Sequence, residues 1–166
     1  HVHVLTSTLE SDTLGCAVAW VTQVSGGELL ISMREASPTL AAALSTGRFA
    51  VSSLAEGQED VVRRLGAGGT EILPPLMTVA LANGCPAVAG SVQALGCEVV
   101  RAFDLHGQVL LVGRVQERRP LHVHRAPLRA ADTGWRPPAG PSPAASPATL
   151  TVRLSAGRRP ECLPTP

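Results

Sequence analysis

Apolar positions along the chain gather in short runs separated by Gly, Pro and acidic residues, a spacing that suits strands better than helices. Residues 2 to 6 are β-branched and apolar and predict a first strand with His1 and His3 on one face. Glu10, Ser11 and Asp12 then predict a turn. Residues 16 to 24 are apolar almost throughout, which predicts a strand buried on both sides, as in a barrel wall. Gly26-Gly27 turns the chain into a partner strand over residues 29 to 33. Residues 48 to 54 form a further strand, and residues 92 to 103 and 108 to 117 form two longer ones around a turn at 104 to 107. Residues 70 to 91 have scattered Pro and Gly and no clean period, so they predict a loop with a short strand.

Two helices interrupt this pattern. Ser37-Pro38-Thr39 offers an N-cap and a proline at the first helical position, Leu40 to Leu44 are strong helix formers, and Gly47 is a terminator. Residues 58 to 65 predict a second helix, acidic at its start and Arg-rich at its end, which suits the dipole. The start of the first helix is an anion-binding end, and Arg34, three residues before the cap, can aim a guanidinium at a phosphate. A capped helix end that binds only water is the commoner case, so context has to decide. From residue 130 the chain turns rich in Pro, Ala and Ser and cannot fill a core, although residues 149 to 154 alternate as a strand would. The expected layout is a domain over residues 1 to 129 and a tail over 130 to 166. A chain cut after Arg129 is then expected to stay folded.

Composition narrows the classes. A chain of 166 residues fits one domain, and with no Tyr, two Phe and two Trp its core must be built from Val, Leu and Ala. A net charge of +1 and the scarcity of aromatic platforms argue against nucleic acid as a partner. No apolar run is long enough to span a membrane as a helix. Cys16, Cys85, Cys97 and Cys162 lack the spacing of a disulfide framework or a zinc site, so free thiols and a cytoplasmic location are expected. His122 and His124 would share one face of a strand, but spacing places no third ligand, so no metal is expected. No nucleophile–base pair and no paired catalytic carboxylates stand out, and no catalytic residue is assigned.

The segments VHVLTS, GCAVAWVTQVS, R-x-x-S-x-T and TGRFAVSSL, in that order, resemble the flavin reductase-like family of FMN-binding split β-barrels, closest to the branch that carries ASWVTQVS in its second strand. The resemblance continues through Pro86 to Gly90, Leu95 to Val100, Val112 to Val115 and Pro120 to Arg125, and covers roughly residues 2 to 129. It implies a mainly β fold, a split or Greek-key barrel with two short helices. It places the flavin against Ala17, Val18, Ala19, Trp20 and Val21, with the phosphate near Arg34, Ser37 and Thr39. Trp20 can stack on the flavin or fill the core, with neither preferred.

This chain departs from the family at several of those positions. Ala17 and Ala19 stand where the family has hydroxyls, and Ser52 stands where it has Asn. Two lost neutral hydrogen bonds cost roughly 1 kcal/mol each, which backbone N–H groups can partly offset. Glu35 beside the phosphate residues is unfavourable if its carboxylate turns inward. The Gly-Asp-His triplet associated with nicotinamide use is His106-Gly107-Gln108 here, so Gln108 holds the histidine position. His124-Arg125 matches the family's late His-Arg pair and, by that resemblance, contacts flavin or dinucleotide.

The resemblance therefore implies an FMN-binding flavoprotein, with FAD as a second candidate. Its activity would be NAD(P)H:flavin oxidoreduction, with the protein positioning the ring and the cofactor carrying the chemistry. An electron acceptor or monooxygenase partner and a homodimer belong to the same picture. The apolar strands support the dimer independently, because outward Val and Leu need cover. The alternative, motivated by Ala17, Ala19, Ser52 and Gln108, is a split-barrel binding or assembly module that has lost efficient flavin chemistry.

Overall fold

The computed structural model describes residues 1–18, 20–66, 71–136 and the backbone of 151–154. Ala19, Cys162, most of the Pro/Ala-rich stretch and the first two residues of the tail strand expected over 149 to 154 lie outside the described residues. The fold is mainly β. In chain order come β1 (His3–Leu9), β2 (Asp12–Val18), β3 (Val21–Val24), β4 (Glu28–Arg34), α1 (Pro38–Thr46), β5 (Arg48–Ser53), α2 (Glu59–Gly66), β6 (Glu71–Ile72), β7 (Thr78–Ala80), β8 (Pro86–Val88), β9 (Gln93–Leu105), β10 (Gln108–Pro120), α3 (Ala130–Thr133) and β11 (Thr151–Leu154).

The main sheet runs β3-β4-β10-β9-β5-β1-β2-β6, with every paired neighbour antiparallel, and β11 lies along the outer half of β9. Strands β2 and β3 stand near opposite ends of this path, yet two residues separate them in the chain. The chain itself therefore closes the barrel at that break. The Ser32 N–H donates to the Trp20 carbonyl at 3.3 Å and holds the closure on the β4 side. The predicted continuous wall over residues 16 to 24 is thus two strands. Trp20 at the break is 45% exposed, and Gln23 and Val24 face solvent because β3 is an edge strand.

Alternation sorts the side chains into two clusters. Leu5, Val18, Ile31, Met33, Phe49, Val51, Leu95, Val99 and Leu111 fill the barrel, with Leu40 and Ala43 of α1 packed among them. Val2, Val4, Leu54, Val61, Leu65, Val88 and Leu128 pack under α2 on the other side of the wall. The sparse aromatic content has one structural consequence inside the barrel. A Cβ at position 113 would come within 2.7 Å of Phe49 Cε1, so only glycine lets β10 pass the ring.

The loop expected over residues 70 to 91 contains three short strands, β6, β7 and β8, of two or three residues each. The β9–β10 turn is tighter than expected: Leu105 pairs with Gln108, leaving His106 and Gly107 as a two-residue loop. Beyond β10, the His122 and His124 pair lies in irregular chain rather than on one strand face, because the ladder ends at Pro120. Among the described residues no group of three or more His, Cys, Asp or Glu could hold a metal, and no helix is long and apolar enough to cross a membrane.

Past residue 129 the chain still touches the fold. Trp135 packs against the cluster under α2 and donates its indole N–H to the Gly66 carbonyl at 3.0 Å. A cut after Arg129 removes these contacts and a cut after Arg136 keeps them. The shorter chain should be less stable than the longer one by about 2 kcal/mol in urea unfolding. Equal midpoints would show that Trp135 contributes nothing.

His3 generates a pH dependence. Its Nδ1 lies 3.2 Å from the Ser53 hydroxyl, and burial lowers its pKa from 6.5 to about 4. An unfolded chain then binds a proton that the folded one refuses, so stability is lost as pH falls from about 6.5 towards 4. His3→Gln should flatten that part of the pH–stability curve. An unchanged slope would place the effect on other groups.

Candidate functional site

The first part of the site forms where β4 hands over to α1. Ser37 is the N-cap: its hydroxyl accepts the Leu40 N–H at 3.4 Å, and Pro38 follows at the first helical position. Gly47, with φ +72°, ends the helix in the left-handed conformation and donates its N–H to the Ala43 carbonyl at 2.9 Å. Arg34 stands at the end of β4, exposed, and Glu35 beside it is exposed as well. The Ser37 N–H turns back to the Arg34 carbonyl at 3.0 Å, which ties the cap to the strand end.

Arg34, Ser37 and Thr39 lie around Cys16 in the middle of β2. Burial raises the Cys16 pKa, while hydrogen bonds from the Thr39 and Ser37 hydroxyls and the Arg34 guanidinium nearby pull it down. Burial prevails, so Cys16 is a neutral thiol. Thr39 has zero exposure and Ser37 9%, so both hydroxyls turn into the protein. Arg34 is the member of the three that solvent reaches freely. Arg34, Glu35 and Thr39 each also have a partner within the protein.

Along the strand break, Val18 is buried in the barrel, Val21 packs against the same cluster, and Ala17 faces the cluster under α2. Trp20 is exposed between them, so its indole is not a core side chain.

Ser52 stands elsewhere. Its side chain is fully buried, and its hydroxyl accepts the Val88 N–H at 2.9 Å. That bond anchors β8, and Val88 and Ala89 form one wall of a cavity of about 290 Å³. Gly57, Gln58, Asp60, Val61 and Met77 line the rest, with Leu76, 96% exposed, at the edge. Gln58 braces this wall twice: its amide donates to the Ala89 carbonyl at 2.8 Å and its carbonyl accepts the Ala55 N–H at 2.9 Å. Nothing in the sequence around Gln58 signalled this, since residues 58 to 65 read only as a helix with an acidic start.

His124 and Arg125 are both exposed. The chain after them runs beside residues 54 to 56, with the Glu56 N–H on the Ala126 carbonyl at 2.9 Å and the Leu128 N–H on the Leu54 carbonyl at 2.8 Å. This brings the Arg125 guanidinium over Gly57, where a Cβ would lie 3.3 Å from Nη2. The structure therefore gathers the predicted residues into two places. Arg34, Ser37 and Thr39 meet at Cys16 on the barrel side of β2, and Arg125 stands at the cavity on the Ala17 side. Gln108, at the position of the family's histidine, accepts the Ser32 hydroxyl at 3.4 Å and so faces β4.

A flavin mononucleotide fits the first of these places through the exposed Arg34 guanidinium at a capped helix start, a donor set suited to a phosphate. Ser52 and Thr39, fully buried and already bonded, suit a supporting role rather than direct contact.

Comparison with solved structures agrees with the fold. The styrene monooxygenase flavin reductase SMOB from Pseudomonas putida superposes with a TM-score of 0.68 at 25% identity, over 76% of this chain and 83% of that one. BorF, the flavin reductase component of a bacterial two-component tryptophan halogenase, gives 0.66 at 21% identity, over 77% and 91%. An FMN-binding protein from Thermus thermophilus with bound p-hydroxybenzaldehyde gives 0.65 at 23% identity, over 72% and 70%. No curated protein sequence matches the chain. The flavin reductase like domain matches residues 1–136, and the chain belongs to that family.

Proposed function

We propose that this chain is an FMN-binding flavoprotein that works as an NAD(P)H:flavin oxidoreductase, with FAD as the second cofactor candidate. The observation that carries the reading is the exposed Arg34 beside the capped start of α1, next to the β2–β3 break, in a chain of the flavin reductase like family. In this reading Arg34 and the helix start hold the phosphate, with Ser37, Thr39 and Cys16 behind them. The flavin would lie along residues 17 to 21, and the exposure of Trp20 supports a stacking role for its indole. His124 and Arg125 meet the flavin or the dinucleotide from the cavity side. Bound flavin would supply the redox chemistry, taking hydride from NAD(P)H and passing electrons on. The protein's own task is to bind and orient, which accounts for the absence of an acid–base dyad from the reading.

The electron acceptor is a separate enzyme in this proposal, as BorF is the flavin reductase component of a two-component halogenase and SMOB is the flavin reductase of a styrene monooxygenase. The free thiols of Cys16, Cys85 and Cys97 suit the cytoplasm. A homodimer belongs to the same proposal, with a two-fold partner covering outward apolar side chains. Sedimentation at micromolar concentration should give about twice the chain mass. A stable monomer that binds FMN tightly would remove the shared interface.

A second reading has its own support. Ser52 and Thr39 are committed to protein partners, and Ala17 offers no side-chain donor. A barrel that uses its cleft only for binding or assembly would show these features. Oxidation of NADH and NADPH with added FMN separates the two, since turnover supports the reductase and its absence supports the module. Arg34→Ala should weaken FMN about 10- to 100-fold and leave riboflavin unchanged, because the guanidinium recognises the phosphate and not the ring. Equal losses for the two ligands would take Arg34 out of the phosphate site.

A further inference from the structure

Inward positions of the barrel are apolar until the strands reach one end. Leu5 on β1, Val51 on β5 and Leu95 on β9 belong to the barrel cluster. Two residues away along each strand, on the same face, stand His3, Ser53 and Gln93. The ladders set these three side by side, because His3 pairs with Ser53 and Ser53 pairs with Gln93. On its other side His3 pairs with Val18, the last residue of β2 before the break. All four strands begin or end on this row, so it marks the barrel mouth. Adjacent strands lie about 4.8 Å apart, which makes the polar part about 10 Å long.

Side-chain bonds determine what the row offers. His3 Nδ1 lies 3.2 Å from Ser53 Oγ. Arg118 donates from Nη1 to the Gln93 side-chain carbonyl at 3.4 Å, which orients the amide and leaves its N–H groups to point elsewhere. The His3 Nε2 and the Gln93 amide nitrogen carry no bond among the described residues. Ser53 is 7% exposed, recessed between the half-buried His3 and Gln93. Burial keeps His3 neutral at pH 7, with its pKa lowered to about 4. When the Ser53 hydroxyl donates to Nδ1, the imidazole proton sits on Nε2 and Ser53 Oγ keeps its lone pairs. The order along the row is then donor, acceptor, donor.

The pyrimidine edge of a flavin carries the complement: the C2 carbonyl, the N3–H and the C4 carbonyl in line. Polar groups that converge at the mouth of an apolar barrel are suited to orient a ligand there. This row also starts at the strand break along which the ring is proposed to lie. A ring entering by its dimethylbenzene edge would set two methyl groups against these side chains and leave them unpaired.

We propose that His3, Ser53 and Gln93 form the wall that recognises the pyrimidine edge of the flavin and so fixes which way round the ring lies. This rests on the flavin reading above and adds the orientation of the ring within that site. His3 Nε2 and the Gln93 amide donate to the two carbonyls, and Ser53 Oγ accepts the imide N–H. Arg118 is a positioning residue, since it acts by holding the Gln93 amide.

The test is a flavin fluorescence titration of the full chain with FMN and with its N3-methyl derivative. The two share the phosphate and differ only where the N–H would meet Ser53. The unsubstituted protein should bind FMN about 10-fold more tightly than the methylated flavin. His3→Phe and Gln93→Leu, which remove one donor each, should weaken FMN about 5- to 10-fold and leave the methylated flavin unchanged. Equal affinity of the unsubstituted protein for the two flavins would overturn the proposal, and that comparison decides even where a variant fails to fold. Variants that weaken both flavins alike would also overturn it, because a merely structural role has that effect. If neither flavin binds, the flavin reading itself fails and this wall falls with it. If both bind without discrimination, only the orientation of the ring is lost.

Discussion

Closure of the barrel between β2 and β3 is the constraint from which the rest follows. A sheet of this size needs its edges paired or covered, and here two successive strands perform the two halves of the closure, β2 pairing with β1 before the break and β3 with β4 after it. Trp20 is exposed at a place that is otherwise wall. The β4–α1 link lies next to β2, where Arg34, Ser37 and Thr39 surround Cys16. A strand that ran unbroken would have no such opening.

Electrostatics at the corner follow from burial. Two hydroxyls and a guanidinium around a thiol would favour a thiolate if the site were wet, but the apolar surroundings of Cys16 outweigh them. The thiol stays neutral. On the other face of β2, Ser52 and Gln58 spend their hydrogen bonds on Val88, Ala89 and Ala55, so neutral groups brace the cavity wall. Asp60 and the Arg125 guanidinium over Gly57 provide the charges at that site.

The long strands were legible because their apolar runs and turn residues agree, and α1 was legible because Ser37, Pro38 and Gly47 each do what local chemistry dictates. Short β6, β7 and β8 were not, since two or three residues carry no period and their pairing is set by neighbours far along the chain. The close approach of Phe49 to Gly113 was also hidden, because a glycine in a strand does not announce which ring it admits. At the site, residue types were readable but their directions were not. Thr39 and Ser52 look like ligands in sequence and prove to be buried, whereas Cys16 looks like core and turns out to gather the corner. Trp135 lies beyond the expected domain end at residue 129, in a stretch whose composition resembles a tail.

The central claim is that flavin lies along the β2–β3 break with its phosphate at the β4–α1 corner. A crystal structure of the full chain with FMN bound tests it most directly. The account predicts phosphate oxygens within hydrogen-bonding distance of Arg34 and the ring beside residues 17 to 21. A phosphate held instead by Arg125, with the ring in the cavity between Gly57 and Met77, would contradict it.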